Sequence, residues 1–368
     1  MRGSGPLGSV IYHRAVIGLR QSVQRALATD FKAFEHVRPI RAALVIFAGL
    51  ALAASANDVR ILLPLALGLL FAAIADRGDS LRRRVTSMAG ATVAITLGTC
   101  VGGLVSANQG LHIVIGGLAG LICGIVGVAG APSMIAGVLG LVVFTIFSGS
   151  PVDLPDWRIN TALILVGAVV MVASVMAEFA GRSLLHKVPV TVGEMPTDSI
   201  WSRSKGHLHW SDQFVGHAVR LGIVIMIATA LEEFLDFPHS YWIPMTVAWI
   251  SRPDRDGTVE KVTSRVVGTL IGVAVAGLLL GVTEASTAES ILLIGIASYV
   301  VLAFIVPNYA IAVSGITVFV FFLFHVVGYP MNGSVFERVA STLIAAALVM
   351  VALQLGRWTR GPSLVASP

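Results

Sequence analysis

Arginines set among apolar residues are the groups in this sequence whose chemistry is easiest to read. Arg252, Arg255 and Arg265 follow one another in the run RPDRDGTVEKVTSR, while Arg158 and Arg338 open two long apolar segments. A guanidinium stays charged at physiological pH, and its planar fork matches a carboxylate in bidentate geometry. Grouped arginines beside apolar spans therefore point to capture of an organic anion. Tyr241 and Trp242 lie about ten residues before Arg252 and offer rings on which an aromatic acid would stack. With Trp201, Trp210 and Trp249 they form an aromatic cluster that an interfacial belt explains equally well. Ionisable groups in or near the spans are candidate proton carriers: His325, Glu232 and Glu233, and also Glu178, His112 and His217.

Each of these residues has a plainer reading. Arg252 and Arg255 serve as a topological anchor, with Asp256 or Thr258 capping the helix that follows, and this outweighs direct binding. Arg265 snorkels to lipid phosphates or faces inward, and the residues do not decide between the two. Arg158 and Arg338 read as an anion ring at the outer mouth, or as local partners of Asp156 and Glu337; local pairing is favoured. A histidine such as His325 more often hydrogen-bonds backbone than carries protons. His207 and His209 lack a cysteine or acidic partner at metal-ligand spacing, so no metal site is expected.

The elements that position these groups are membrane helices. The 368 residues are 56% hydrophobic and 12% charged, with a mean hydropathy of +0.86, which excludes an ordinary soluble globular class. The net charge of +5 sits beside apolar spans, so anionic lipid head groups rather than nucleic acid are the expected counterpart. Cys100 and Cys123 fall inside apolar spans and read as small hydrophobes. MRGSGPLGS at the start resembles an expression-tag scar, and no signal peptide is expected.

Twelve apolar segments are read: 40–56, 59–75, 87–105, 111–129, 131–148, 159–180, 217–234, 240–251, 265–282, 290–306, 308–328 and 336–357. The first six recur in the last six about 180 residues later: Arg41 matches Arg220, Pro64 matches Pro244, Gly90 matches Gly268, Pro132 matches Pro307, and Arg158 matches Arg338. Two six-span repeats in parallel orientation follow, with a pseudo-symmetry axis along the membrane normal. Segments 59–75 and 240–251 are short for a full span and carry Pro64 and Pro244, so they are read as tilted, hinged, broken or partly re-entrant helices, a pointer to a binding site. With the N-terminus inside, 22 of the 25 Lys and Arg fall on the cytoplasmic side. Both termini are therefore expected there, and the loops near residues 80 and 258 share that face. In span 4, Gly116, Gly120 and Gly124 form a stripe, read as the closest helix contact of the first half or as a homodimer face.

The expected organisation is a tag scar at 1–9, an amphipathic interfacial helix at 10–38, a first repeat at 39–180, a cytoplasmic linker at 181–213, a second repeat at 214–358 and a tail at 359–368.

The run YWIPMTVAWISRPDRDGTVEKVTSRVVGTLIGVAVAG, with Tyr241, Trp242, Pro244, Arg252, Pro253, Asp254, Gly257, Thr258, Arg265, Gly268, Thr269 and Gly272, resembles the signature of the fusaric-acid-resistance-like family. The first half holds a degenerate echo in Pro64, Asp76, Arg77 and Gly90, with Ser87 where the second has Arg265. The resemblance implies export of aromatic or other organic carboxylates across a bacterial inner membrane, driven by the proton gradient. A distant relation to aluminium-activated malate channels implies anion permeation as a shared theme. Larger family members carry a sizeable cytoplasmic domain between their halves, which this sequence lacks. An anion channel and a non-transporting membrane scaffold are the competing readings. No Walker A string, GxSxG or dinucleotide fingerprint is present, so neither an enzyme nor a cofactor is expected.

Overall fold

The computed structural model describes residues 24, 27–56, 58–149, 156–186, 213–235, 237–282, 285–329 and 333–358. The expected tag scar, most of the expected interfacial helix, the linker with Trp201, His207, His209 and Trp210, and the C-terminal tail lie outside these residues.

The described residues form twelve α-helices joined by short turns: α1 (Val37–Ala54), α2 (Leu62–Ile74), α3 (Leu81–Val105), α4 (Gln109–Val126), α5 (Ala131–Gly149), α6 (Trp157–His186), α7 (Gln213–Phe234), α8 (Trp242–Ile250), α9 (Arg255–Val282), α10 (Thr287–Phe304), α11 (Tyr309–Val327) and α12 (Ser334–Trp358). Ten of them are long and apolar enough to cross a membrane. The exceptions are α2 and α8, with 13 and 9 residues. At 1.5 Å per residue they reach only about 20 and 14 Å against a hydrocarbon core of about 30 Å.

These two short helices form the middle of the molecule. All nine residues of α8 and twelve of the thirteen in α2 are buried. The long helices instead leave apolar stripes exposed, as at Leu97, Leu118, Leu278 and Leu343. A stripe of that kind suits lipid, whereas a helix buried on every face must be surrounded by protein. Pro64 and Pro244 each stand third in their helix, within the first turn, where a backbone N–H has no helical partner to lose. They begin short helices rather than breaking long ones, which corrects the broken-helix expectation.

The packing is ordered. α3 lies on α5 and α6, and α9 lies on α11 and α12; α2 packs on α6, and α8 on α12. The first six helices meet the last six mainly through α4 on α7 and α1 on α10, with α5 on α8 and α2 on α10 and α11 adding smaller contacts. The glycine stripe of α4 builds the contact with α7. A Cβ on Gly124 would fall 2.5 Å from Cα of Ala218, and one on Gly120 would fall 3.1 Å from Cα of Gly222. The stripe thus joins the two halves within one chain, rather than two helices of the first half.

Caps fix the turns. Asn108 accepts from the Leu111 N–H and Asn308 from the Ile311 N–H, at 2.9 and 3.1 Å, and Ser286 forms a capping box with Glu289. At the start of α9 the cap is Asp254, whose carboxylate accepts from the Gly257 N–H at 2.6 Å, instead of Asp256 or Thr258. The described end of the expected interfacial helix is also irregular. A 3-10 turn at Phe31–Ala33 and an extended Phe34 precede α1. Asn308 donates to the carbonyls of Leu27 and Ala28, tying this segment to the α10–α11 turn.

Arg38, Arg41, Asp76, Arg77, Leu302 and Pro307 line one cavity; Arg220 donates to the Arg252 carbonyl, and Lys261, on the helix that follows Arg252, meets Tyr309, two residues after Pro307, so these turns share one end of the bundle. We refer to it as the basic end. Gly124→Leu is expected to wedge α4 from α7 and lower stability by about 1–3 kcal/mol. In Gly277→Ala the added methyl meets nothing within 4 Å, so melting in detergent stays unchanged or rises slightly.

Candidate anion-binding site

Between α2, α5, α8, α9, α11 and α12 lies a cavity of about 40 Å³, with room for two or three water molecules rather than for an aromatic ring. Leu63, Leu67 and Phe71 of α2 and Val142 and Ile146 of α5 give it an apolar wall. Tyr241 and Trp242, Met245 and Trp249 of α8, and Ile316, Phe319 and Phe324 of α11 line the rest. Into this greasy space face Arg265 from α9 and Arg338 from α12.

Both arginines are buried, at 0% and 1% exposure, and none of their six guanidinium nitrogens has a hydrogen-bond partner among the described residues. Arg265 stands ten residues into α9, about 15 Å from the basic end, and Arg338 stands four residues into α12, about 6 Å from the opposite end. Arg338 places its guanidinium carbon 4.8 Å from the centre of the Trp242 ring. A desolvated cation–π contact is worth about 2 kcal/mol, less than the several kcal/mol that burying the ion costs. The site is left with two uncompensated positive charges.

The side of the cavity away from the basic end is closed by an aromatic stack. His239 lies 4.3 Å from Trp242 and 5.3 Å from Phe324, ring centre to ring centre, with Tyr329 edge-on to it. The imidazole Nδ1 is hydrogen-bonded to Glu337. Burial holds His239 below its ordinary range, with the Glu337 carboxylate acting against that shift. Glu337 is thus engaged with His239 and leaves its neighbour Arg338 unpaired.

The basic end of the first half is built on the opposite principle. Arg41 bonds Asp76 and Glu178, each at 2.6 Å, and Arg84 bonds Asp76 at 2.6 and 2.7 Å and Glu178 at 3.3 Å. Burial pushes the Asp76 carboxyl up, but hydrogen bonds and charge from Arg84 and then Arg41 hold it below the usual carboxylate range. Every charge here has an opposite, so the cluster is a clamp rather than a binding site. Ser87, the residue matching Arg265, is buried with its hydroxyl unpartnered among the described residues.

The remaining sequence candidates fall in several places. Tyr241 and Trp242 line the cavity with Arg265 and Arg338. Arg158 is exposed, over the Trp157 ring at 5.2 Å, and its backbone N–H is bonded to Asp156. It lies two residues, about 200° of helix, from Asn160 on the buried stripe of α6, so Arg158 and Arg338 form no ring. Arg255 is exposed and Arg252 half-buried at the basic end, outside the cavity. Glu233 bonds His112 at 2.6 Å, which joins α7 to α4, and His325 bonds the Ala285 carbonyl at 3.1 Å. Glu232 is buried with neither carboxylate oxygen partnered among the described residues. Its neighbour Gly149 makes the room, since a Cβ there would meet both Glu232 and Tyr241. His239 was not among the candidates; a histidine two residues before Tyr241 was its only sequence signal. Among the described residues no group of three metal-ligating side chains forms.

Residues 225–352, which include Arg265, Arg338, Trp242, Glu232 and Glu337, match the family described as fusaric acid resistance protein-like. The matched stretch is about a third of this chain. An uncharacterized protein of Haemophilus influenzae is 30% identical over 142 residues, 39% of this chain and 20% of that protein. Inner membrane protein YccS of Escherichia coli is 29% identical over 154 residues, 42% of this chain and 21% of its own length. The match thus spans about a fifth of the length of these curated relatives. No solved structure matches. The matched stretch contains both unpaired arginines, whereas the clamp of Arg41, Asp76, Arg84 and Glu178 lies outside it.

Asp76→Asn removes the acid shared by two arginines and is expected to cost about 3–5 kcal/mol near neutral pH. The folded-state pKa lies below the usual aspartate value, so this stabilisation is present above that usual value and is lost as pH falls through the folded one. Melting temperatures of wild type and variant should therefore draw together as pH falls below about 4 and converge below the folded value.

Proposed function

We propose that this multi-pass membrane protein carries organic anions, aromatic carboxylates in particular, out across a bacterial inner membrane. One observation carries the reading: two buried arginines without protein partners face one cavity lined with aromatic rings. A pair of like charges in a low-dielectric interior is tolerable when an anion shares the space, and a carboxylate accepts from both while its ring lies on Trp242 or Phe324. The small volume of the cavity suits a closed state that opens to load.

The reading takes the chain as two parallel six-helix repeats with both termini cytoplasmic. Its supports are the matched packing of α3 with α5 and α6 and of α9 with α11 and α12, and the collection of arginines at one end. It takes transport as driven by the proton gradient, with Glu232 as the proton carrier. Glu233 and His325 are already engaged, whereas Glu232 is buried, unpartnered among the described residues and next to Tyr241 on the cavity wall.

Uptake of radiolabelled benzoate into proteoliposomes tests this. Wild type should transport saturably, and Arg265→Gln and Arg338→Gln should each lose at least about thirtyfold, the scale of removing one partner from a buried charged contact. Glu232→Gln should retain benzoate exchange while losing its acceleration by a pH gradient. Equal transport by wild type and both arginine variants would overturn the proposal, and steady unitary currents in planar bilayers would replace a carrier with a channel.

A further inference from the structure

We propose that Lys261 and Tyr309 form the inner gate of the arginine cavity, a lysine lid that hands incoming anions to Arg265. The inference rests on the anion-carrier reading and adds to it the route of access. Lys261 lies on α9 one helical turn before Arg265, about 6 Å nearer the basic end. Tyr309 lies on α11 two turns before Ile316, a wall residue of the cavity, and on the same face. The two side chains meet: the Lys261 ammonium nitrogen sits 3.4 Å from the centre of the Tyr309 ring. Their contact therefore stands directly on the basic side of the cavity.

Its chemistry fits a gate. Lys261 makes no ion pair among the described residues, and its near charges are Arg252, Glu260 and Arg77, two of which repel it. An aromatic face is a weaker partner for an ammonium than a carboxylate, so an arriving anion displaces the ring and draws the lysine away from it. The Tyr309 hydroxyl, buried and unpartnered among the described residues, is a further donor beside that path. Arg265 then offers a fixed fork one turn deeper. The first half has no such arrangement. Arg83, which matches Lys261, is exposed and paired with Asp79 at 3.1 Å, and Met134 stands where the second half has Tyr309. One gate therefore serves one cavity.

Cysteine labelling in nanodiscs tests the gate without any need for transport. Ile316→Cys is placed in a Cys100→Ser, Cys123→Ser background and reacted with an anionic or a cationic methanethiosulfonate of similar size. The anionic reagent should react faster. Lys261→Gln should lower its rate about tenfold, the lower end of electrostatic steering, and leave the cationic rate unchanged or raised. Lys261→Arg should keep the original ratio, and Tyr309→Ala should raise both rates by removing the ring. A merely structural role would move both reagents together under Lys261→Gln, and that result overturns the proposal. So does an Ile316→Cys protein that reacts with neither reagent. Should Lys261→Gln not fold, unchanged rates in Tyr309→Ala overturn it instead. A normal labelling pattern in a protein that does not move benzoate counts against the carrier reading and leaves the gate standing.

Discussion

Two guanidinium groups buried in one apolar cavity without a counter-charge are the constraint around which this molecule is arranged. Moving an arginine from water into such surroundings costs several kcal/mol, and the second charge adds repulsion. The protein offsets part of this with the Trp242 ring beneath Arg338. It does not offset it with acids, although Glu337 is adjacent in sequence: that carboxylate is held by His239. On the proposed reading, a cavity whose two arginines have no acid partner among the described residues is organised to accept a negative charge from outside.

The surrounding architecture serves that arrangement. Because α2 and α8 are too short to cross a bilayer, they are enclosed by longer helices, and the enclosed space between them becomes the cavity wall. Prolines in their first turns start them without breaking them. The ion-paired clamp of Arg41, Arg84, Asp76 and Glu178 ties together the first half's basic end, while at the second half's basic end Lys261 rests on a tyrosine ring, the contact proposed as a gate. The halves are therefore alike in helix packing and unlike in electrostatics. The matched family stretch coincides with the half that holds the unpaired charges.

Much of this was legible in the sequence. Hydropathy located all twelve helices, because apolar length and polar turns are local properties. Pro64 and Pro244 flagged the two short ones. Arg265 and Arg338 were both singled out, but counting charges by side of the membrane set them on opposite faces. That count registers distance from a loop along the chain, not depth in the bundle, and α9 carries Arg265 about 15 Å inward. The pairing of Arg158 with Arg338 misled for a related reason. A shift of one or two residues is trivial in an alignment yet rotates a helical side chain by 100° or more, so Arg158 is exposed while Arg338 is buried. The bonds of His239 to Glu337 and of Arg84 to Glu178 join residues 98 and 94 positions apart, and no local pattern encodes such partners.

The central claim is that Arg265 and Arg338 hold one anion together, and a double-mutant cycle on benzoate affinity of the purified protein addresses it most directly. If both arginines grip the same carboxylate, each single Gln variant should weaken binding at least about thirtyfold, and the double variant should lose much less than the product of the two, because they act as a unit. Affinity that is indifferent to either substitution, or losses that multiply as they do for distant independent sites, would contradict the account.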